Sequence, residues 1–152
     1  MRTKIYLLSS LVFLFPLIAG AAALPEGGGE PGKAYKACVD AVAKPDKTAM
    51  VSLCFVKDDP WIKNKNIGYF TNETFQVEVR QEWPALRLID LKITGGTTEG
   101  ETADLTVEGI AILQRLEPTD EIVEVDRKRV KGTVKMRRTS GVWRYAGAQK
   151  LE

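Results

Sequence analysis

An α+β fold is predicted by three features of the sequence: two short apolar stripes at helical spacing early in the chain, a switch to period-two alternation after Pro84, and turn residues that cut the later segment into antiparallel strands. Helices come first and about four strands follow. The expected architecture is therefore a layer of helices on one face of a curved antiparallel sheet.

The amino terminus reads as a secretory signal over residues 1–23. Arg2 and Lys4 give the charged start, Ile5 to Ala19 the apolar run, and Ala21 and Ala23 an A-x-A cleavage site. Pro16 interrupts the run short of the ~20 apolar residues that a spanning helix needs. No cysteine follows the stretch Leu17 to Gly20 to receive a lipid. The expectation is an exported protein, periplasmic or secreted, with no membrane span in its mature form. Residues 24–32, rich in Gly and Pro, read as a flexible tether, which leaves residues 33–152 as a single domain.

Within that domain Ala34, Ala37, Cys38, Ala41 and Val42 form one apolar helical face that Pro45 ends. Asp46 stands where an N-cap belongs, before a second stripe of Ala49, Met50, Leu53 and Cys54. The two cysteines thus sit on inward faces of consecutive helices, and in an oxidising compartment a Cys38–Cys54 disulfide is expected. Between Asp58 and Phe70 loop signals mix with Trp61, Ile62, Ile67 and Tyr69, the pattern of a broken helix or partly buried lid. Phe75, Val77 and Val79 then alternate like a strand, whereas Phe75, Val79 and Trp83 share one face of a helix capped at Asn72 and stopped by Pro84, and the helix is the reading preferred.

Beyond Pro84, Ile89, Leu91 and Ile93 alternate with Asp90 and Lys92, Gly95-Gly96 and Glu99-Gly100 signal a turn, and Ala103, Leu105, Val107 and Ala111 alternate with Asp104, Thr106 and Glu108. A loop near Pro118 leads to a long strand with Val130, Val134 and Met136 on one face and Arg129, Lys131, Lys135 and Arg137 on the other. Ser140-Gly141 turns into a last strand carrying Trp143 and Tyr145. Charge is segregated: residues 24–126 hold 11 Lys and Arg against 19 Asp and Glu, and residues 127–152 hold nine against Glu152 alone.

This order of elements resembles the small exported members of the NTF2-like (cystatin-like) superfamily. The resemblance is carried by the helix Ala34 to Val42, the Lys-Pro-Asp-Lys turn at 44–47, the strand Gly100 to Val107 and the closing Ser-Gly-Val-Trp-Arg-Tyr at 140–145. It implies a cone of sheet and helices around an apolar pocket, which Trp61, Tyr69, Trp83, Trp143 and Tyr145 could line, although a domain of this size needs such residues to fill its core and that reading is preferred. Enzymes of the superfamily place a carboxylate or histidine inside the cone. This sequence has no histidine, and its inward strand positions hold no carboxylate.

No catalytic residue, metal ligand set or cofactor is therefore assigned. Neither a nucleophile with its base nor a phosphate-cradling loop is present in the sequence. The function expected is an exported non-catalytic binding or interaction domain for a small apolar ligand, an acidic envelope component or another protein, with a homodimer open. A cofactor-independent lyase or isomerase using a buried carboxylate is the alternative. The basic face of Arg129, Lys131, Lys135 and Arg137 suits an anionic partner, against the plainer and preferred reading that acidic neighbours such as Asp104, Glu108, Glu121 and Glu124 neutralise it across the strands. Nucleic acid is not expected, because that face lacks interleaved aromatic residues.

Overall fold

Ala22–Leu24 (β1) lies antiparallel along what becomes the second strand, with Ala22 opposite Thr98 and Leu24 opposite Gly96. The computed structural model describes residues 20–56 and 59–152, so the signal segment expected over 1–23 falls outside the described residues as far as residue 19, and Ala22 and Ala23, its expected last residues, instead pair with Thr98 and Thr97 in β1. Among the described residues every helix follows β1: α1 (Gly29–Val42), α2 (Lys47–Cys54), α3 (Pro60–Asn64), a 3-10 turn (Ile67–Tyr69), α4 (Asn72–Glu82) and a second 3-10 turn (Pro84–Leu86). The chain then runs through β2 (Leu88–Glu99), β3 (Thr102–Leu116), β4 (Ile122–Thr139) and β5 (Val142–Leu151), an antiparallel meander whose spatial order is the chain order. The fold is α+β as expected, with five strands in place of four.

The stretch expected to be a tether is instead part of the fold. Gly27, Gly28 and Gly29 all take positive φ (84°, 70° and 58°) and turn the chain from β1 into α1. Gly27 donates its N–H to Ile93 O at 2.8 Å, and Gly28 donates to Pro25 O at 2.9 Å. A Cβ on Gly28 would lie 2.8 Å from Leu105 Cδ2, and one on Gly32 only 1.9 Å from the Gly27 carbonyl oxygen. Pro31 sits in the first turn of α1, where its missing N–H costs nothing. The glycines serve close packing and left-handed backbone here, and the ordered fold begins before Lys33.

Helix starts follow local chemistry. Asp46 accepts the Ala49 N–H at 3.0 Å, as its position predicts. Asp59 caps α3 by accepting from Trp61 N at 2.9 Å and Ile62 N at 3.4 Å. For α4 the cap is Thr71, whose Oγ1 accepts the Thr74 N–H at 3.1 Å, and not Asn72. Asn72 Oδ1 accepts the Lys47 N–H at 2.9 Å, which ties α4 to the start of α2.

Two irregularities alter the expected phase of β2. Asp90 adopts φ 53°, and a break in register between Ile89 and Lys92 inserts a bulge. Leu88 and Ile93 consequently enter the core, whereas Ile89 lies opposite Ile110 on the other face, a correction to its expected inward position. Gly95 and Gly96, expected in a turn, lie inside β2; a Cβ at Gly96 would come within 2.1 Å of Asp104 O, so glycine admits the neighbouring strand. The hairpin turns at Gly100, as the Glu99-Gly100 signal predicts, and Glu101, between β2 and β3.

One hydrophobic cluster fills the space between helices and sheet. Tyr35, Cys38 and Val42 of α1, Met50 and Cys54 of α2, and Phe75 and Val79 of α4 meet Leu105, Val107, Val134, Met136 and Tyr145 of the strands. Cys38 and Cys54 are bonded, with Cα atoms 4.9 Å apart, and both are fully buried. Among the described residues no helix is long and apolar enough to cross a membrane. The disulfide and that observation are both compatible with export.

Gly32→Ala should destabilise the protein by about 1–3 kcal/mol, since backbone and not a flexible side chain occupies the space. Gly68→Ala, with nothing within 4 Å of its Cβ, should change stability by less than about 0.5 kcal/mol. Urea titrations of both variants decide this, and equal midpoints would return residues 24–32 to a loose tether. Reduction of Cys38–Cys54 should lower stability by roughly 3 kcal/mol without abolishing the sheet. Far-ultraviolet circular dichroism during thermal melting, with and without reductant, measures both parts of that statement.

Candidate functional site on the uncovered sheet face

The helices occupy one face of the sheet, so the outward side chains of β3 and β4 meet solvent. From Thr102 to Leu113 the β3–β4 register is uninterrupted, which fixes the alternation of β4. Val130, Val134 and Met136 are buried against the helices. Arg129, Lys131, Lys135 and Arg137 therefore share the outer face, opposite Ile110, Glu108, Asp104 and Thr102 respectively, and all four are exposed. Their backbone positions span eight residues, about 26 Å of strand.

Cross-strand neutralisation of this row is incomplete. Glu108 reaches the other way, to Lys92 at 4.0 Å, and Glu124 pairs with Arg127, whose Nη2 donates to Oε2 at 3.0 Å. That hydrogen bond holds the Glu124 carboxyl below its ordinary range. Among the described residues Arg129, Lys131, Lys135 and Arg137 make no ion pair. At one end of the row the Asp90 bulge opens a cleft of about 410 Å³ lined by Asp90, Lys92, Glu108, Arg129, Lys131 and Glu152. Three carboxylates and three cations meet in it.

The aromatic residues expected to line a single pocket are dispersed. Trp61 and Trp83 meet edge to face at 4.4 Å, and Phe55 and Phe75 complete a cluster with them. Tyr145 stacks on Tyr35 deep in the core at 6.1 Å, Trp143 packs half-buried on the core margin, and Tyr69 is 90% exposed. The reason is local: in the short 3-10 segment Ile67 takes the buried side and Tyr69, two residues on, the exposed one, whereas Tyr145 sits on the inward side of β5.

Buried polar side chains serve the helix ends. The only ones among the described residues are Gln76 and Arg80, one turn apart on α4. Gln76 Nε2 donates to Lys44 O at 2.6 Å, and Arg80 donates to Val42 O at 2.8 Å and to Gln114 Oε1. α1 has no basic residue in its last turn, so a cation from α4 meets the negative end of its dipole. Burial, and secondarily the neighbouring Arg87, push the Arg80 guanidinium down to about 10, and it stays charged at neutral pH. Lys47 has a comparable role, its ammonium donating to the carbonyls of Ile67 at 3.2 Å, Gly68 at 3.3 Å and Phe70 at 3.0 Å. Sequence reasoning missed these residues. Their one signal was a polar pair at i, i+4 beside the apolar stripe of α4.

Tyr35 and Tyr145 make stability fall on the alkaline side. Burial raises both above their ordinary value of 10.0, and the charge of Tyr145 adds to the shift at Tyr35. An unfolded chain releases these protons near pH 10 while the folded one retains them, so stability declines as pH rises past about 10. Arg80 titrates in the opposite sense, one group against two. Urea midpoints should fall between about pH 9 and about pH 11, and Tyr145→Phe should flatten the decline. A midpoint that holds constant would remove the buried tyrosine pair from this account.

No family model matches the chain, and the searches of curated proteins and of solved structures likewise find no similar protein.

Proposed function

We propose that this chain is an exported, non-catalytic interaction domain that binds an extended anionic partner, such as an acidic envelope polymer, along the outer face of β4. The observation that carries the reading is the row of Arg129, Lys131, Lys135 and Arg137, four exposed cations on one strand face without an ion-pair partner among the described residues. A row about 26 Å long matches an extended polyanion better than a compact ligand. Helices gathered on one face of an antiparallel sheet support an NTF2-like arrangement as part of this proposal. The apolar-ligand version finds less support, because the space such a ligand would take is occupied by Tyr35, Met50, Phe75, Leu105 and Tyr145. A lyase or isomerase would need a buried carboxylate, and the buried polar side chains among the described residues are Gln76 and Arg80.

The triple variant Lys131→Glu, Lys135→Glu, Arg137→Glu should fold with an unchanged melting temperature, since each of these side chains points away from the core. Its retention on a polyanionic resin should be lost, and wild-type retention should drop steeply with salt, because exposed charges are screened within about 10 Å at 0.1 M. Equal retention of variant and wild type at low salt would reduce the row to a solvated surface.

A further inference from the structure

β4 is much longer than the strand beside it. Its pairing with β5 runs from Thr139 opposite Val142 to Gly132 opposite Leu151, and a last exchange joins Lys131 and Glu152, N–H to O at 2.9 and 3.1 Å. From Ile122 to Val130 the strand pairs with β3 on one side, and among the described residues no strand pairs on the other. Lys131 directs its N–H and C=O to this edge, so by the two-residue repeat of an antiparallel ladder Arg129 and Arg127 do the same. The Arg127 N–H is closed locally by Asp126 Oδ1 at 2.8 Å, whereas the Arg129 N–H and both carbonyls face outward. Residues Glu124 to Arg129 are all exposed, and Val125 is 51% exposed where a break in register lifts it from the ladder.

The charge along this edge is divided into two blocks. Glu121, Glu124 and Asp126 precede Arg127, Lys128, Arg129 and Lys131, with Ile122, Val123, Val125 and Val130 between them. A strand with an acidic first half and a basic second half complements itself when reversed: laid antiparallel on a second copy, each acidic block faces a basic one. A parallel arrangement would bring like charges together. An open strand edge is a ready template for another strand, and this one carries a sequence matched to its own reversal.

We propose that two copies of this chain pair antiparallel through the open edge of β4 at Ile122–Val130. The twofold axis of such a pair stands perpendicular to the sheet and leaves both outer faces on the same side. Two β4 rows then lie on the same side of the pair, one on each side of the axis, with the charge-matched seam between them. The pairing uses backbone groups and the charge blocks at the edge, and it stands or falls independently of anion binding on the face.

Charge swapping tests it. The variants Glu121→Lys/Glu124→Lys/Asp126→Lys and Arg127→Glu/Lys128→Glu/Arg129→Glu should each sediment as monomers at concentrations where wild type is dimeric, and mixing them in equal amounts should restore a dimer containing one of each. Added salt should weaken the wild-type dimer by roughly tenfold. A monomeric wild type at all concentrations overturns the proposal. So does a dimer that both variants form alone, or a mixture that fails to associate. Should either variant not fold, hydrogen exchange on the wild type decides: the Arg129 amide must exchange more slowly as protein concentration rises, and exchange independent of concentration rejects the pairing.

Discussion

A meander of antiparallel strands has two faces, and all the helices among the described residues lie between the first two strands, so that a single excursion must cover the buried face of β2 to β5. The consequences run through the molecule. Four helices and two 3-10 turns have to find places on that face without a strand between them to set their spacing. Covalent and polar ties supply the missing constraint. Cys38–Cys54 fixes α2 to α1, Arg80 and Gln76 fasten α4 to the last residue of α1 and to the Lys44 carbonyl just beyond it, and Lys47 gathers three carbonyls of the segment that leads into α4. These ties replace regular packing at the helix ends, where buried carbonyls without donors would each cost about 1–3 kcal/mol.

The entry into this excursion is equally constrained. Three consecutive left-handed glycines reverse the chain over the sheet, and the first turn of α1 lies close enough to Ile93 and Leu105 that no side chain fits at Gly28. Composition cannot distinguish this from a flexible linker. Glycine is used both where nothing is fixed and where the backbone is fixed too tightly for any other residue, and the difference lies in contacts with strands some 65 to 75 residues later in the chain. β1 was illegible for a related reason, because its Ala-Ala-Leu carries no alternation and gains its strand character only from pairing with β2.

What was legible had a repeating signal. The inward and outward faces of β3 and β4 follow from strict period-two alternation, and the structure places Leu105, Val107, Val134 and Met136 inside and Lys131, Lys135 and Arg137 outside. The helix starts at Asp46 and near Asn72 and the inward cysteines were readable from capping chemistry and three-to-four spacing. Where a bulge shifts the phase, as at Asp90, alternation gives the wrong face for Ile89, since the sequence does not mark a left-handed aspartate. Of the candidate site, the basic row was visible and the failure of its acidic neighbours to neutralise it was not. That depends on Glu108 reaching toward Lys92 and Glu124 toward Arg127.

The segregation of charge along the chain becomes a segregation in space, because the basic residues after position 126 all belong to β4 and β5, at one side of the sheet. Most of the acidic excess lies in the stretch from Glu117 to Asp126, which leads into β4 and forms its first residues, and the helices carry no net charge. With the two halves nearly cancelling, the molecule acts on distant charges less as an ion than as a dipole. A uniform field turns such a body without pulling it, and near a charged boundary the field gradient supplies the pull after orientation has occurred. An anionic surface would therefore receive this protein in one pose, with the basic part of β4 and β5 toward the surface and the acidic stretch from Glu117 to Asp126 turned away from it.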